Sequence, residues 1–135
     1  MLTFETDHVA VKASQTELFT YLSNLNNYKE LMPDSATNWQ STEEHCTFKL
    51  SGMANIGLAY KDKTPETRLD FVSYGEVMFP FTLSILLKPV SETVTESKLI
   101  FNGDVNPFMR MMVEKPIQNF FNYLVHKVQK RFDQQ

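Results

Sequence analysis

The three histidines of this sequence, His8, His45 and His126, are the side chains whose type could bind a metal ion or transfer a proton. None of them has a second histidine, a cysteine or a carboxylate at a metal-ligand spacing on the same predicted strand or helix face. His45 follows Glu43 and Glu44, but the tip of a hairpin accounts for those polar residues without chemistry. We therefore expect neither a metal site nor a cofactor.

The single cysteine, Cys46, alternates with Phe48 and Leu50 on the apolar face of a predicted strand. No neighbouring cation that would stabilise a thiolate is evident, so a buried structural thiol is the favoured interpretation. One cysteine excludes an internal disulfide and is typical of a reducing compartment. The sequence also lacks a nucleophile elbow, a phosphate-binding glycine loop and a paired-cysteine motif. Nucleophilic, phosphate-binding and redox chemistry thus have no support.

Charge and hydropathy exclude two further classes of protein. The 135 residues carry a net charge of −3, and their 13 Lys and Arg residues are scattered except for Lys127, Lys130 and Arg131. Nucleic-acid binding needs a clustered basic patch, so no nucleic-acid partner is expected. No run approaches the ~18 apolar residues of a membrane span, and the N-terminus lacks the basic and apolar segments of a secretory signal. We expect one cytoplasmic domain over residues 1–135, without stable membrane insertion.

The side chains that could contact a ligand are large and apolar. With 11 Phe and 7 Met, the sequence suits a loosely filled interior, although a Phe-rich core accounts for these residues equally well. We take the predicted ligand-binding residues from the apolar faces of the strands and of the last helix, and from the expected mouth of the cavity. Some of them must serve packing only. They are Phe48, Leu58, Tyr60, Phe71, Phe79, Phe81, Phe101, Met109, Arg110, Val113, Phe120 and Leu124. The polar candidates for the interior, which depend on strand phase, are Asn38, Tyr60, Ser73 and Tyr74. No catalytic residue is assigned.

A long helix from Pro107 to Gln135 is predicted to complete this site. Asn106 can cap it, and Pro107 suits its first position. At roughly 100° per residue, its apolar side chains form one stripe. That stripe comprises Val113, Ile117, Phe120, Phe121, Leu124 and Val128, opposite Lys115, Asn119, Asn122, His126 and Gln129. Pro116 removes one backbone hydrogen bond, which predicts a kink in the helix.

The first turns of this helix, residues 108–113, are apolar on nearly every side, and we call them the Met-rich collar. Such a collar can mark a pocket mouth, a membrane-contacting lip or a dimer patch, and burial under neighbouring loops would account for it as well. Arg110 lies within the collar. Either it holds the carboxylate or phosphate of an amphipathic ligand, or it pairs with Glu114 at the surface.

The sequence upstream of the helix reads mainly as strands. Residues 2–13 form strand one, with a change of phase near Asp7 and His8 that predicts a bend. Ser14 and Glu17 match a capping box that opens the first of two short helices, and Pro33 ends the second. Six more strands are predicted, with a turn at 51–52 between the second and third of them: residues 35–42, 46–50, 56–61, 69–73, 79–88 and 99–105. Short connections favour an antiparallel sheet covered by the C-terminal helix.

This order of elements, with Leu-Met-Pro at 31–33 and Asn-Pro-Phe at 106–108, resembles the START-related helix-grip superfamily, also called SRPBCC. That superfamily includes lipid-transfer START domains, polyketide cyclases and aromatases, and pathogenesis-related plant allergens. The resemblance implies an α+β fold in which a curved seven-stranded antiparallel sheet wraps around the long C-terminal helix. It also implies an apolar cavity between sheet and helix.

The predicted function is therefore the binding, sequestration or transport of a hydrophobic or amphipathic small molecule or lipid in an internal cavity. Two alternatives stay open. A cyclase- or dehydratase-type enzyme acting on an aromatic or polyketide-like substrate would need an inward acid–base pair. A regulator would bind a protein partner through the Met-rich collar, and a filled or collapsed cavity beneath an exposed collar would favour it. A homodimer is a further alternative.

Overall fold

A computed structural model describes residues 1–50 and 55–133, which form one antiparallel sheet and a long C-terminal helix. The strands are β1 (Leu2–Glu5), β2 (Val9–Val11), β3 (Ala36–Ser41), β4 (His45–Leu50), β5 (Asn55–Thr64), β6 (Arg68–Ser73), β7 (Phe81–Pro89) and β8 (Thr95–Gly103). The helices are α1 (Gln15–Leu22), a 3-10 helix (Leu25–Leu31) and α2 (Pro107–Asp133). The predicted α+β helix-grip architecture is confirmed; the turn predicted at 51–52 lies outside the described residues.

The sheet has the spatial order β1-β8-β7-β6-β5-β4-β3, and β2 pairs with the same edge of β8 as β1 does. The predicted first strand is thus divided into two, which makes eight strands rather than seven. At the division, the Thr6 backbone N–H donates to the Leu99 carbonyl at 2.9 Å, and the Thr6 hydroxyl accepts from the Leu99 N–H at 2.9 Å. The Leu99 N–H thus donates to the Thr6 side chain rather than to a backbone carbonyl. Since β1 ends at Glu5 and β2 begins at Val9, the bend predicted near Asp7 is confirmed.

A side-chain cap precedes each of the two short helices, and the cap of the first is the one that the sequence predicts. The Ser14 hydroxyl accepts from the Glu17 N–H at 3.0 Å, which caps α1. The Asn24 side chain accepts from the Asn26 N–H at 2.9 Å and caps the 3-10 helix. Three residues per turn align side chains three apart on one face. The buried residues of that face are Leu25, Tyr28 and Leu31.

A bulge in β3 turns Trp39 toward the interior of the protein. The pairing of β3 with β4 shifts between Thr37 and Gln40, and Asn38 has a φ angle of 57°. An asparagine tolerates this left-handed conformation better than most residues do. The Trp39 ring stacks on Phe48 with ring centroids 5.6 Å apart. Asn38 itself is exposed, so its prediction as an interior polar residue is wrong.

Helix α2 covers the sheet with the predicted apolar stripe, whose members are all buried, together with Val125 and Phe132. The Asn106 side chain accepts from the Met109 N–H at 2.8 Å, which confirms the predicted cap. The helix is continuous through Pro116, and the predicted kink stays a prediction. None of the helices in the described part of the chain is long and apolar enough to cross a membrane.

Candidate ligand-binding site

An apolar cavity, which we call the main cavity, lies between the sheet, the two short helices and the second half of α2. Its volume is about 30 Å³. A water molecule needs roughly 10–15 Å³ on this measure, so the cavity has room for about two waters. Sites for drug-sized ligands occupy about 300–1,000 Å³. A ligand of that size would therefore have to displace parts of the wall.

Each layer of the fold contributes side chains to the main cavity. The sheet supplies, among others, Cys46, Phe48, Leu58, Leu83, Ser97 and Leu99. Helix α2 supplies Phe120, Leu124, Val125 and Val128. The short helices supply Leu22, Tyr28 and Leu31. Because three separate elements and several strands converge here, the cavity exists only in the folded chain.

A second cavity of about 20 Å³ lies beside the first half of α2. Its walls include Ile56, Phe79, Phe81, Phe101, Ile117 and Phe121. Contacting aromatic rings separate the two cavities: the ring centroids are 5.4 Å apart for Phe48 and Phe120, 5.1 Å for Phe120 and Phe121, and 5.5 Å for Phe121 and Phe101. Phe120 lines the main cavity and Phe121 lines the second, so these two rings of α2 lie between them.

The structure brings seven of the predicted ligand-binding residues to these two cavities. The main cavity is lined by Phe48, Leu58, Phe120 and Leu124. The second cavity is lined by Phe79, Phe81 and Phe101. The remaining predictions line neither of the two cavities: Tyr60, Phe71, Met109, Arg110 and Val113. Phe79 also differs from its prediction as a strand residue, because it precedes the first residue of β7.

Tyr60 has a structural partner instead. Its hydroxyl and that of Tyr28 both donate to the carbonyl oxygen of Leu22, the last residue of α1, the Tyr28 bond measuring 2.8 Å. The last carbonyls of a helix lack partners within the helix, so these two tyrosines satisfy one of them. Burial is the main cause that raises the pKa of both hydroxyls. They therefore stay protonated donors near neutral pH.

Two further interior polar candidates also have local roles. The Ser73 hydroxyl accepts from the Phe81 N–H at 3.3 Å, at the point where β7 begins. Tyr74 is exposed and stacks on His45, with ring centroids 4.3 Å apart, so its prediction as an interior residue is wrong. The reason is where the strand ends: β6 ends at Ser73, so Tyr74 lies beyond the strand and its side chain does not follow the strand's alternation.

Arg110 lies at the surface, where its Nε donates to the Glu114 carboxylate at 3.0 Å. This is the surface pairing that the sequence left open as the alternative to a ligand contact. Three side chains of the Met-rich collar are exposed: Phe108 by 74%, Met111 by 84% and Met112 by 54%. Burial under loops therefore does not account for the collar as a whole.

Cys46 is the one ionisable thiol of the chain, and it is buried in the wall of the main cavity. Burial raises the pKa of this thiol to about 12. His8 and His126 form surface pairs with Glu96 and Asp7, at 2.8 and 3.1 Å. In residues 1–50 and 55–133, no group of three or more His, Cys, Asp or Glu residues is arranged to hold a metal ion. No His, Asp, Glu, Lys or Arg of the described residues lines either cavity.

Sequence reasoning did not select several of the residues that line the main cavity. A second short helix was predicted where the 3-10 helix lies, but its buried residues were not assigned to the site. Trp39 was missed because only the bulge at Asn38 turns it inward. Ser97 alternates with Leu99 and Phe101 along β8, and this alternation was the available signal for placing it inside.

No protein-family model matches the sequence, and no curated protein matches it. A START superfamily protein from Mycobacterium smegmatis is 11% identical with a TM-score of 0.72, covering 98% of this chain and 97% of that one. The protein XoxI from Bacillus cereus is 10% identical with a TM-score of 0.73, covering 98% of this chain and 96% of that one.

A third similar structure is the di-domain ARO/CYC BexL from the BE-7585A biosynthetic pathway. It is 14% identical with a TM-score of 0.65, and the match covers 95% of this chain but 46% of that longer chain. Identities at this level establish the fold alone. The chain therefore has the START-related helix-grip fold, and the resemblance inferred from its sequence is confirmed at the level of fold.

Proposed function

We propose that this protein binds a hydrophobic or amphipathic small molecule between its sheet and helix α2, and so sequesters or transports it. The observation that carries the proposal is the main cavity, which is enclosed by apolar side chains from every layer of the fold. Ligand sites are typically concave and mostly apolar, with few polar groups. The small volume adds a requirement: side chains of the cavity wall must move when a larger ligand enters.

Trp39 makes the proposal testable, because it is the one tryptophan of the sequence and lines the main cavity. Native mass spectrometry of freshly purified protein, followed by solvent extraction, would reveal a co-purified ligand. Titration with alkanols and aromatic hydrocarbons should then change the Trp39 emission. Absence of both a co-purified molecule and any saturable change in emission would refute the proposal.

A pair of cavity-filling variants tests the location of the ligand. Leu124→Phe places a larger side chain in the main cavity, and Ile117→Phe does the same in the second cavity. We expect the first variant to weaken binding at least tenfold, or ~1.4 kcal/mol, and the second to have a smaller effect. Equal affinity of wild type and Leu124→Phe would place the ligand elsewhere.

The exposed collar and the small volume of the main cavity favour a second candidate function, which is binding of a protein partner or of a second copy of this chain. Phe108, Met111 and Met112 are apolar and exposed on consecutive turns of α2. Sedimentation at increasing concentration should show self-association that Met111→Glu weakens. Asn119→Glu, an exposed change on the same helix, is the control. A monomer at all concentrations would remove the homodimer from consideration.

The cyclase alternative has less support from the geometry. An acid–base mechanism needs a proton donor and acceptor beside the substrate. The ionisable side chains among the described residues of the cavity walls are Tyr28 and Cys46, whose pKa values are both raised by burial. The similarity to BexL therefore adds no catalytic residue to the proposal.

A further inference from the structure

Ser97 is a polar side chain in a wall that is otherwise almost entirely apolar. It lies on β8, it lines the main cavity, and 5% of its surface is exposed. Thr95, two residues earlier on the same face, uses its hydroxyl to donate to the Ala13 carbonyl at 2.9 Å. The Ser97 hydroxyl has no such partner among the described residues.

The other polar groups of the wall are already occupied or weak. The Tyr28 hydroxyl donates to Leu22, and the Cys46 thiol is a poor hydrogen-bonding group. Every fully enclosed side-chain N or O atom of the described residues has a hydrogen-bond partner. The Ser97 oxygen has no hydrogen-bond partner in the described part of the chain and is therefore not fully enclosed, and the residue that carries it lines the main cavity. A largely buried hydroxyl without a partner is unfavourable. The Ser97 hydroxyl can donate a hydrogen bond to a ligand oxygen or accept one from a ligand hydroxyl.

We propose that Ser97 is the polar contact of the main cavity, and that the cavity takes an uncharged, largely apolar molecule with a single hydroxyl or carbonyl oxygen. This inference rests on the proposed binding function and specifies its ligand class. A carboxylate is excluded by the walls, because no Lys, Arg or His of the described residues lines the cavity and an unpaired buried charge is strongly unfavourable. Arg110 does not supply the charge, since it pairs with Glu114 at the surface.

The test uses three molecules that share one aromatic ring and differ in its substituent. Benzene has none, phenol has a hydroxyl and benzoate has a carboxylate. Binding is followed by nuclear magnetic resonance from the indole N–H of Trp39, which gives a single signal because the sequence has one tryptophan. We expect wild-type protein to bind phenol at least tenfold more tightly than benzene, and benzoate more weakly than either. Ser97→Ala should lower the affinity for phenol to that for benzene, while benzene binding stays unchanged. Ser97→Thr, which keeps the hydroxyl, should retain the preference for phenol.

The possible results distinguish a failure of the Ser97 assignment from a failure of the proposed binding function. If benzene binds but phenol binds no better, or if Ser97→Ala leaves the preference for phenol intact, the assignment of Ser97 is wrong and the apolar site remains. If benzoate binds as tightly as phenol, the uncharged ligand class is wrong. If none of the three molecules shifts the indole signal although alkanols still change the Trp39 emission, the role of Ser97 is wrong and the binding function remains. If alkanols have no effect either and no molecule co-purifies, the proposed function fails as well. The comparison of the three molecules on wild-type protein needs no variant to fold.

Discussion

Gly57 shows most clearly how one residue sets a local geometry. It lies in β5, where the backbone leaving β6 passes so close that a Cβ on Gly57 would lie 1.8 Å from the carbonyl oxygen of Tyr74. The obstructing atom belongs to the backbone, so it cannot rotate away as a side chain could. The Tyr74 N–H also donates to the Gly57 carbonyl at 2.9 Å, which holds the two segments together.

Gly57→Ala should therefore destabilise the protein more than Gly75→Ala does. Gly75 has a φ angle of +76°, but its added Cβ would meet one atom of Thr47 at an ordinary 3.8 Å. Alanine at Gly75 should cost about 1–2 kcal/mol for its left-handed conformation. Gly57→Ala should exceed this, since backbone must move. Urea unfolding of both variants measures the difference, and an equal or smaller loss at Gly57 would contradict the close approach.

Cys46 offers a second prediction at the residue scale. With the pKa of the thiol raised to about 12, roughly one molecule in ten thousand carries a thiolate at pH 8, whereas an ordinary cysteine with a pKa of about 8.5 is substantially ionised there. Alkylation by iodoacetamide should be at least 100-fold slower in native protein than in urea, as followed by mass spectrometry. A native rate close to the unfolded one would show that the thiol is accessible.

At the scale of the element, helix α2 depends on one buried stripe. Leu124 lies in that stripe and in the wall of the main cavity, while Asn119 lies on the exposed face. Asn122 is a less suitable surface control than the sequence suggested. Its side chain accepts from the Asp7 N–H at 3.2 Å, which connects the helix to the segment between β1 and β2.

Leu124→Asp should disrupt folding, because an unpaired buried carboxylate costs several kcal/mol, comparable with the total stability of a domain. Asn119→Asp should leave the thermal midpoint nearly unchanged. Circular dichroism melting of both variants at the same protein concentration tests the pair. A similar loss of stability in both would contradict the assignment of the buried face.

At the scale of the whole molecule, a polar cluster joins the short helices to the end of α2. The Glu30 carboxylate accepts from the Tyr21 hydroxyl and from Arg131 Nε, the latter at 3.0 Å. The Arg131 guanidinium also lies over the Tyr21 ring, 5.4 Å from its centroid. The Tyr21 hydrogen bond is the largest cause that lowers the pKa of Glu30, and Arg131 adds to it. The ionised form of Glu30 is thus favoured in the folded state.

This shift predicts how stability depends on pH. A carboxyl whose pKa is lowered by folding contributes stability above its unfolded pKa of 4.5, and that contribution is lost as the pH falls through the lowered folded value. Glu30→Gln should therefore be less stable than wild type at pH 7, and the difference should shrink toward pH 3. The cluster is partly exposed, so the effect is small. Urea unfolding at several pH values measures it, with the exposed Glu92→Gln as control; a difference independent of pH would exclude the carboxylate as its cause.

The sequence by itself determined the order of the elements and the buried faces of the regular ones. Side-chain periodicity is a local property, so the stripe from Val113 to Val128 and the alternation along β7 and β8 could be recognised without knowledge of any partner. Caps are local as well, and Ser14 and Asn106 were placed correctly for that reason. These elements and their order predicted an antiparallel sheet covered by the last helix, and they carried the resemblance that implied the helix-grip fold.

Only the tertiary structure decided which inward residues meet a cavity and which pack tightly. Periodicity assigns a residue to a face of its strand, but it does not give the distance from that residue to the opposite layer. The sequence therefore could not show that Phe48 lines the main cavity whereas Phe71 does not. The sequence also does not predict β-bulges or hydrogen bonds between distant residues. The register of β3 shifts at Asn38, and the Tyr60 hydroxyl donates to the Leu22 carbonyl rather than to a ligand. The free hydroxyl of Ser97 and the small volume of the main cavity arise from side chains far apart in the sequence, whose approach only folding brings about.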